Sequence, residues 1–246
     1  GWGSSMVAMA QSRVSAILPS AAANRITRPR LEQRLPEILT RRLTLIEAPA
    51  GYGKTELLSV LASQLMERGA HVHWIAARAS NPAQVKREIK QYLHEARCRG
   101  TDGDAYHLFL DDAHLLRGHD ALSMLRELLE RGPEPVRIVI GTRTQLELSV
   151  ARWRGRGELA EIHASDLAFD SDEARRFLLS LRGFEPSHAE IDTLLAQSGG
   201  WPTALRLLSA PGGRAAIAEF LQEEVLAELD PQQRELLELL AVPDRI

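Results

Sequence analysis

The sequence predicts a three-layer α/β fold, built on a parallel sheet of about five strands and followed by an all-helical domain. Three observations predict it. Short apolar runs recur through the first two-thirds of the chain, amphipathic stretches separate them, and after Asp166 helical patterns follow one another with no strand between them. Strands that alternate with helices pair in parallel through right-handed crossovers, which place helices on both faces of the sheet.

The expected strands are five short runs: Leu43–Ala48, His71–Ala76, Tyr106–Leu110, Val136–Ile140 and Leu159–His163. Apolar residues at helical spacing predict a helix that begins near Pro29, and further helices at Glu56–Glu67, Pro82–Ala96 and Asp120–Glu130. Five more helices are expected after the sheet, the first with an N-cap at Ser171: Ser171–Leu181, Ser187–Gln197, Pro202–Leu208, Ala216–Leu229 and Pro231–Leu240.

These patterns predict four segments. Residues 1–24 are read as an expression scar and linker, because Gly1–Ser5 precede Met6 and the stretch is small and polar. A sheet domain at 25–165 and a helical domain at 166–213 follow, and Pro211-Gly212-Gly213 forms a hinge-like break before a last helical region at 214–246. The chain stops without a terminal cap, so we expect a fragment of a longer protein.

Composition excludes several classes of protein. The single cysteine, Cys98, excludes an internal disulfide and argues against a structural zinc site, so a reducing, cytoplasmic location is expected. No apolar run approaches the roughly 18 residues that cross a bilayer, so no membrane partner is expected. The stretch Ala216–Ile246 carries eight acidic residues against two arginines, which is a poor surface for DNA.

A glycine-rich turn, Ala48-Pro49-Ala50-Gly51-Tyr52-Gly53-Lys54-Thr55, lies between a predicted strand and a predicted helix. Such a turn exposes backbone N–H groups to phosphate, its lysine reaches the β and γ phosphates, and the following hydroxyl holds Mg²⁺. The sequence therefore predicts a P-loop NTPase fold that binds ATP or ADP with Mg²⁺, through Ala50, Gly51, Tyr52, Gly53, Lys54, Thr55 and Glu56. Ala48 replaces the first glycine of the strict pattern and Glu56 replaces a frequent second hydroxyl, so binding is favoured over fast hydrolysis.

Two acids end the strand that runs through His107-Leu108-Phe109-Leu110. We expect Asp111 to hold Mg²⁺ through a water, and Asp112 to orient or deprotonate the water that attacks the γ phosphate. The alternative is that the two acids only cap a helix. Arg143 follows the next strand and is expected to sense or neutralise the γ phosphate, with a surface arginine as the alternative.

Other candidates carry less weight. Arg152, Arg154 and Arg156 could supply an arginine finger to a neighbouring subunit, but a solvated basic loop is favoured. His71 and His73 share one strand face and have no third ligand nearby, which favours packing over metal binding. His114 stands beside the acids, although its spacing demands no role.

Five motifs, taken in order, resemble the MalT-like branch of large ATP-binding LuxR-type regulators, within the STAND class of signalling ATPases. They are Leu45–Thr55, Phe109–His114, Gly157–Leu159, Asp166–Phe169 and Gly199–Pro202. The resemblance runs from about Arg25 to Ile246. It implies that Pro202 packs against adenine, that Ile26 and Arg28 edge the adenine pocket, and that a winged-helix domain begins near Ala216. The alternative for Pro202 is that it only begins a helix.

The resemblance also implies a function. In this family ADP holds a closed resting state, while ATP and an inducer favour an open form that self-associates and activates transcription. A slowly hydrolysing nucleotide switch is therefore expected, with the family's sensor repeats and C-terminal DNA-binding helix-turn-helix not represented in this chain. The alternatives are a P-loop motor ATPase that performs mechanical work and a nucleotide-binding scaffold whose hydrolysis has decayed. A small-molecule kinase is disfavoured, since no lid or acceptor site is recognisable.

Overall fold

The structure is a computed structural model that describes residues 26–99, 105–116, 120–132, 136–229 and 231–240. It forms two compact units, of which the first ends at Leu167 and the second begins at Ala168. The scar and linker predicted for residues 1–24 lie outside the described residues. The further division near residue 213 and the winged-helix assignment stay predictions. None of the described helices is long and apolar enough to cross a membrane.

The first unit alternates strands and helices. Its elements are α1 Pro29–Glu32, α2 Leu35–Thr40, β1 Leu43–Glu47, α3 Lys54–Glu67, β2 His71–Ala76, α4 Pro82–Arg99, β3 Tyr106–Asp111, α5 Asp120–Arg131, β4 Val136–Thr142, α6 Ala151–Gly155, β5 Leu159–His163 and α7 Ala164–Leu167. Short 3₁₀ turns follow β2 at Ala77–Ala79 and β3 at Ala113–Leu116. The predicted alternation is confirmed.

The five strands form one parallel sheet in the order β2-β3-β4-β1-β5. After β1 the chain crosses to the far edge, returns strand by strand to β4, and then places β5 on the other side of β1. Connections therefore diverge at β1, and open α/β sheets bind ligands outside the carboxyl ends of strands at such a point. The fold positions the turn after β1 at this crevice.

Two hydrophobic cores cover the two faces of the sheet, as β3 shows. Leu108 belongs to a core that contains Ile89 of α4 and Leu125 of α5. Its neighbour Phe109 belongs to the other core, together with Leu58 of α3. Successive side chains of a strand point to opposite faces, so this division places helices on both sides of the sheet. The predicted three-layer fold is confirmed.

The described residues of the second unit form helices joined by turns, with no strand among them, as predicted. Its helices are α8 Ser171–Arg182, α9 His188–Ser198, α10 Pro202–Leu208, α11 Gly213–Glu224 and α12 Pro231–Leu240, with a 3₁₀ turn at Leu226–Glu228. The helix predicted at Ala216–Leu229 therefore begins and ends earlier than expected, at Gly213 and Glu224.

The N-cap predicted at Ser171 is wrong by one residue. Asp170 caps α8: its carboxylate accepts from the Glu173 N–H at 2.8 Å, and the Glu173 carboxylate accepts from the Asp170 N–H at 3.2 Å. This reciprocal capping box satisfies two N–H groups at once. A cap at Ser171 would place Ala174 three residues later, and alanine has no side-chain acceptor to complete the box.

Two other expectations need correction. The single helix predicted from Pro29 is divided into α1 and α2, because Pro36 lies in the first turn of α2 and has no N–H with which to continue the preceding helix. The basic loop predicted around Arg152–Arg156 is instead the short helix α6, which buries Trp153. Arg154 of this helix makes two hydrogen bonds to the Glu161 carboxylate, at 2.9 and 2.6 Å.

Candidate nucleotide-binding site

The turn between β1 and α3 has the backbone of an anion site. Gly51 and Gly53 have φ values of 78° and 80°, in the left-handed region that favours glycine. A Cβ at Gly53 would meet no atom within 4 Å, so the backbone conformation, rather than lack of space, requires glycine there. Gly53 is the residue before α3, whose first turn carries N–H groups that have no partner within the helix. The positive end of a 14-residue helix thus stands at the carboxyl edge of the sheet.

Lys54 places a buried cation behind this turn. The residue is 6% exposed, and its ammonium donates to the carbonyl oxygens of Ala48 at 2.6 Å and Pro49 at 2.9 Å. Carbonyl oxygens solvate a buried ammonium without neutralising its charge. These two contacts hold the ammonium at the turn, in the position of a phosphate-binding lysine.

Thr55 and Asp111 bring a hydroxyl and a carboxylate together. Thr55 Oγ1 donates to Asp111 Oδ2 at 2.7 Å, and Asp111 Oδ1 accepts from the Asp112 N–H at 3.0 Å. Burial raises the pKa of Asp111, while the hydrogen bond from Thr55 opposes the rise. A carboxylate that is costly to bury gains from a nearby divalent cation.

The oxygen donors of this pair fit Mg²⁺. Magnesium prefers oxygen ligands and commonly takes one or two from protein, with the rest from phosphate and water. Within the described part of the chain, no three His, Cys, Asp or Glu side chains group as a metal cage. The donor set thus suits a cation that arrives with a nucleotide rather than one held by protein alone.

Asp112 lies at the centre of a basic cluster, which we define as Arg78, Asp112, His114 and Arg143. Asp112 Oδ2 accepts from Arg78 Nε at 3.0 Å, and Oδ1 lies 3.8 Å from Arg143 Nε and 3.9 Å from His114 Nδ1. Among the described residues, Asp112 is the one non-glycine with a positive φ, 55°. The Arg143 side chain is 13% exposed, so most of it is withdrawn from solvent. Its role at the γ phosphate stays a prediction.

Sequence reasoning missed two residues of this region. Arg78 lies two residues after β2, whose last residue, Ala76, is in register with Asp111. Gly141 of β4 lies against Asp111: a Cβ at Gly141 would be 3.1 Å from Asp111 Oδ1 and 2.7 Å from Leu58 Cδ1. The shared carboxyl edge of parallel strands was the available signal for Arg78, and the Gly141-Thr142-Arg143 motif was the signal for the glycine.

The remaining predicted site residues have other observed partners. The Arg28 side chain donates to the Leu167 carbonyl at 2.9 Å, and the backbone N–H of Arg28 donates to Glu32 Oε1 at 3.1 Å. Pro202 is the first residue of α10, which is the helix-starting position foreseen as its alternative role. The contacts expected of Ile26, Arg28 and Pro202 with adenine stay predictions. Ala50 is buried, while Ile26, Tyr52 and Glu56 are half-buried.

The histidines of β2 pack as expected. His71 stacks on Tyr106 with ring centroids 4.7 Å apart, and His73 stacks on Tyr92 at 5.1 Å. Burial lowers the pKa of His73, against the opposing influence of Glu88.

Comparison with known proteins gives relatives at low identity, and no family model matches the chain. The serine/threonine-protein kinase PknK of Mycobacterium tuberculosis (strain H37Rv) is 30% identical over 265 residues, which cover 89% of this chain and 24% of PknK. The HTH-type transcriptional regulator MalT of Yersinia pestis (strain Pestoides F) is 27% identical over 263 residues, which cover 89% of this chain and 29% of MalT. The chain thus spans about a quarter of the length of these relatives.

Solved structures match more distantly. A RuvB variant of Thermotoga maritima has a TM-score of 0.47 and 21% identity, covering 77% of this chain and 63% of that one. A Rhizobiales Trip13 structure has a TM-score of 0.43 and 20% identity, covering 67% and 60%.

The five motifs that resemble MalT-like regulators lie in a chain of which 89% aligns with MalT. The first of them, Leu45–Thr55, spans the end of β1, the glycine-rich turn and the start of α3, as a phosphate loop requires. Over 89% of its length the chain is therefore similar in sequence to MalT and to PknK, and this similarity is to part of each of those proteins.

Proposed function

We propose that this chain is the ATP- and ADP-binding switch module of a MalT-like transcription regulator. The observation that carries the proposal is the hydrogen bond between Thr55 and Asp111 at 2.7 Å, beside the buried Lys54. These three side chains supply a cation for phosphate oxygens and two oxygen donors for Mg²⁺ at one edge of the sheet.

The names of the two relatives favour a regulatory role for the segment that this chain shares with them, rather than either named activity. PknK is named as a protein kinase and MalT as a transcriptional regulator, yet both match the same chain over 89% of its length. Nucleotide binding explains a segment shared by both proteins more simply than protein phosphorylation or DNA recognition does. The proposal includes cytoplasmic location, self-association on activation, and assignment of inducer sensing and DNA contacts to other parts of such a regulator.

Each side chain has a defined task in this proposal. Lys54 exchanges a carbonyl partner for phosphate oxygens, and the N–H groups of the turn around Gly51 and Gly53 donate to the same phosphates. Thr55 and Asp111 hold Mg²⁺, which neutralises phosphate charge when it is bound. Ile26, Arg28 and Pro202 contact the adenine, as the resemblance implies.

The surroundings of Asp112 favour slow hydrolysis. Hydrolysis adds water across the bond between the γ phosphorus and its bridging oxygen and gives ADP and phosphate. Asp112 is proposed to orient that water, and Arg143 to stabilise charge on the phosphate. Because Asp112 Oδ2 already accepts from Arg78 at 3.0 Å, the carboxylate is engaged before any water reaches it. A restrained water-orienting group suits a switch better than a motor.

The test is to identify the nucleotide released from the purified chain and to measure Mg²⁺-dependent ADP and ATP binding by calorimetry. We expect wild-type chain to bind ADP, and Lys54→Ala to bind it at least about tenfold more weakly, since a lost charged contact to phosphate costs about 1.5–3 kcal/mol. Lys90→Ala is the matched control, because Lys90 is exposed on α4. No binding by wild-type chain would contradict the proposal, and turnover well above about 1 s⁻¹ would favour the motor alternative.

A further inference from the structure

The basic cluster places Arg78 where it can control Asp112. Ala76 and Asp111 are paired in register at the ends of β2 and β3. The chain beyond each strand turns at the same edge of the sheet, so Arg78, in the 3₁₀ turn Ala77–Ala79, reaches Asp112 and donates from Nε to Oδ2 at 3.0 Å. The contact thus follows from strand pairing and not from closeness in sequence.

The two arginines of the cluster differ in exposure. The Arg143 side chain is 13% exposed and lies 3.8 Å from Asp112 Oδ1, whereas the Arg78 side chain is 50% exposed. An ion pair with one solvent-exposed partner can exchange with water at smaller cost than a pair in which both side chains are withdrawn from solvent. Arg78 is therefore the partner that can release Asp112 while the less exposed Arg143 stays in place.

Asp112 is also constrained by its backbone. Its φ of 55° lies in the left-handed region, where aspartate is tolerated but not favoured, and its N–H donates to Asp111 Oδ1 at 3.0 Å. With the main chain held in this way, the position of the carboxylate depends on its side-chain partners. The partner on Oδ2 is Arg78.

We propose that Arg78 is a positioning residue that restrains hydrolysis by holding Asp112 Oδ2 until water displaces the Arg78 guanidinium in the nucleotide-bound chain. This inference rests on the proposed function, since it assumes that Asp112 orients the attacking water. It assigns the slow step of the switch to a particular ion pair between the ends of β2 and β3.

The experiment compares Arg78→Met with wild type in single-turnover ATP hydrolysis and in equilibrium ATP binding. Arg78→Met is expected to hydrolyse at least about threefold faster with an unchanged Kd, because only the barrier after binding is lowered. Arg78→Lys, which keeps a cation, should stay close to wild type, and Arg87→Met, at an exposed position of α4, should equal it. A merely structural role would not separate rate from affinity.

A second measurement needs no nucleotide. In urea unfolding of the unliganded chain, the change in stability caused by Arg78→Met should disappear in an Asp112→Asn background, because the pair is already broken there. Additive effects, or a hydrolysis rate in Arg78→Met that equals or falls below the wild-type rate, would overturn the inference. If wild-type chain fails to bind MgATP, the proposed function fails. If it binds normally and Arg78→Met does not accelerate, only the role of Arg78 fails.

Discussion

Thr55 Oγ1 donates to Asp111 Oδ2 at 2.7 Å although the two residues are 56 positions apart. The strands that lead to them, β1 and β3, are not neighbours in the sheet. Thr55 lies in the first turn of α3, which follows β1, while Asp111 ends β3, and β4 lies between those two strands. The carboxylate therefore has to cross the end of β4 to meet the hydroxyl. It does so beside Gly141, where a Cβ would lie 3.1 Å from Asp111 Oδ1.

Asp111→Asn should separate stability from metal-dependent binding. Burial raises the pKa of Asp111, so the folded chain binds this proton more tightly than the unfolded chain, and stability is lost as pH rises through the raised pKa. At neutral pH, asparagine removes this cost while keeping an oxygen for Thr55. We expect an unchanged or higher melting temperature without nucleotide, and about a tenfold to hundredfold loss of the Mg²⁺-dependent part of ATP affinity.

Thermal unfolding and ATP titrations with Mg²⁺ or with EDTA would measure these two effects. Asp192→Asn, at an exposed position of α9, is the control and should change neither quantity. A stable Asp111→Asn chain whose ATP affinity keeps its full dependence on Mg²⁺ would show that Asp111 does not help to bind the cation.

Gly141→Ala should disturb the same site by adding one methyl group. The new Cβ would lie 2.7 Å from Leu58 Cδ1 as well as 3.1 Å from Asp111 Oδ1, so either the core or the carboxylate has to move. Overpacking of this kind costs about 1–3 kcal/mol, and we expect Mg²⁺-dependent ATP binding to weaken in parallel. Denaturant unfolding and calorimetry measure the two losses.

Gly155→Ala is the matched control for that substitution. A Cβ at Gly155 meets nothing within 4 Å, and this glycine is the last residue of α6. Alanine there should leave stability unchanged or raise it by up to about 1 kcal/mol. Equal effects of the two substitutions would rule out a special need for space beside Asp111.

Lys54 could be assigned to the site from the sequence, whereas Arg78 could not, and the difference has a physical reason. The phosphate turn is local: glycines, lysine and threonine within eight residues specify a backbone path, and short apolar runs such as His71–Ala76 and Leu159–His163 predict strands that the structure has at the same bounds. Arg78 and Gly141 depend instead on which strands are neighbours and in what register. No local pattern states that β4 separates β1 from β3, so the role of a small residue on β4 becomes visible only in the folded sheet.

His107 provides a prediction about pH that is independent of nucleotide. The residue is 2% exposed on β3, its Nε2 lies 3.5 Å from the Leu39 carbonyl oxygen, and burial lowers its pKa to about 4. In the unfolded chain the pKa is about 6.5, so the stability associated with neutral His107 is complete above that pH and is lost as pH falls toward 4. The loss is about 1.4 kcal/mol per pH unit, or about 2 kcal/mol at pH 5.

His107→Gln should flatten this dependence, because glutamine does not titrate and its amide can still donate toward the Leu39 carbonyl. Urea unfolding at pH 7.5, 6 and 5 gives the slope of stability against pH for each variant. His188→Gln, at an exposed position of α9, should keep the wild-type slope. Burial also lowers the pKa of His73, with the same sign of effect, but His73 is present in every variant and cancels from the difference. A His107→Gln chain as sensitive to acid as wild type would therefore show that the acid-labile group is not His107.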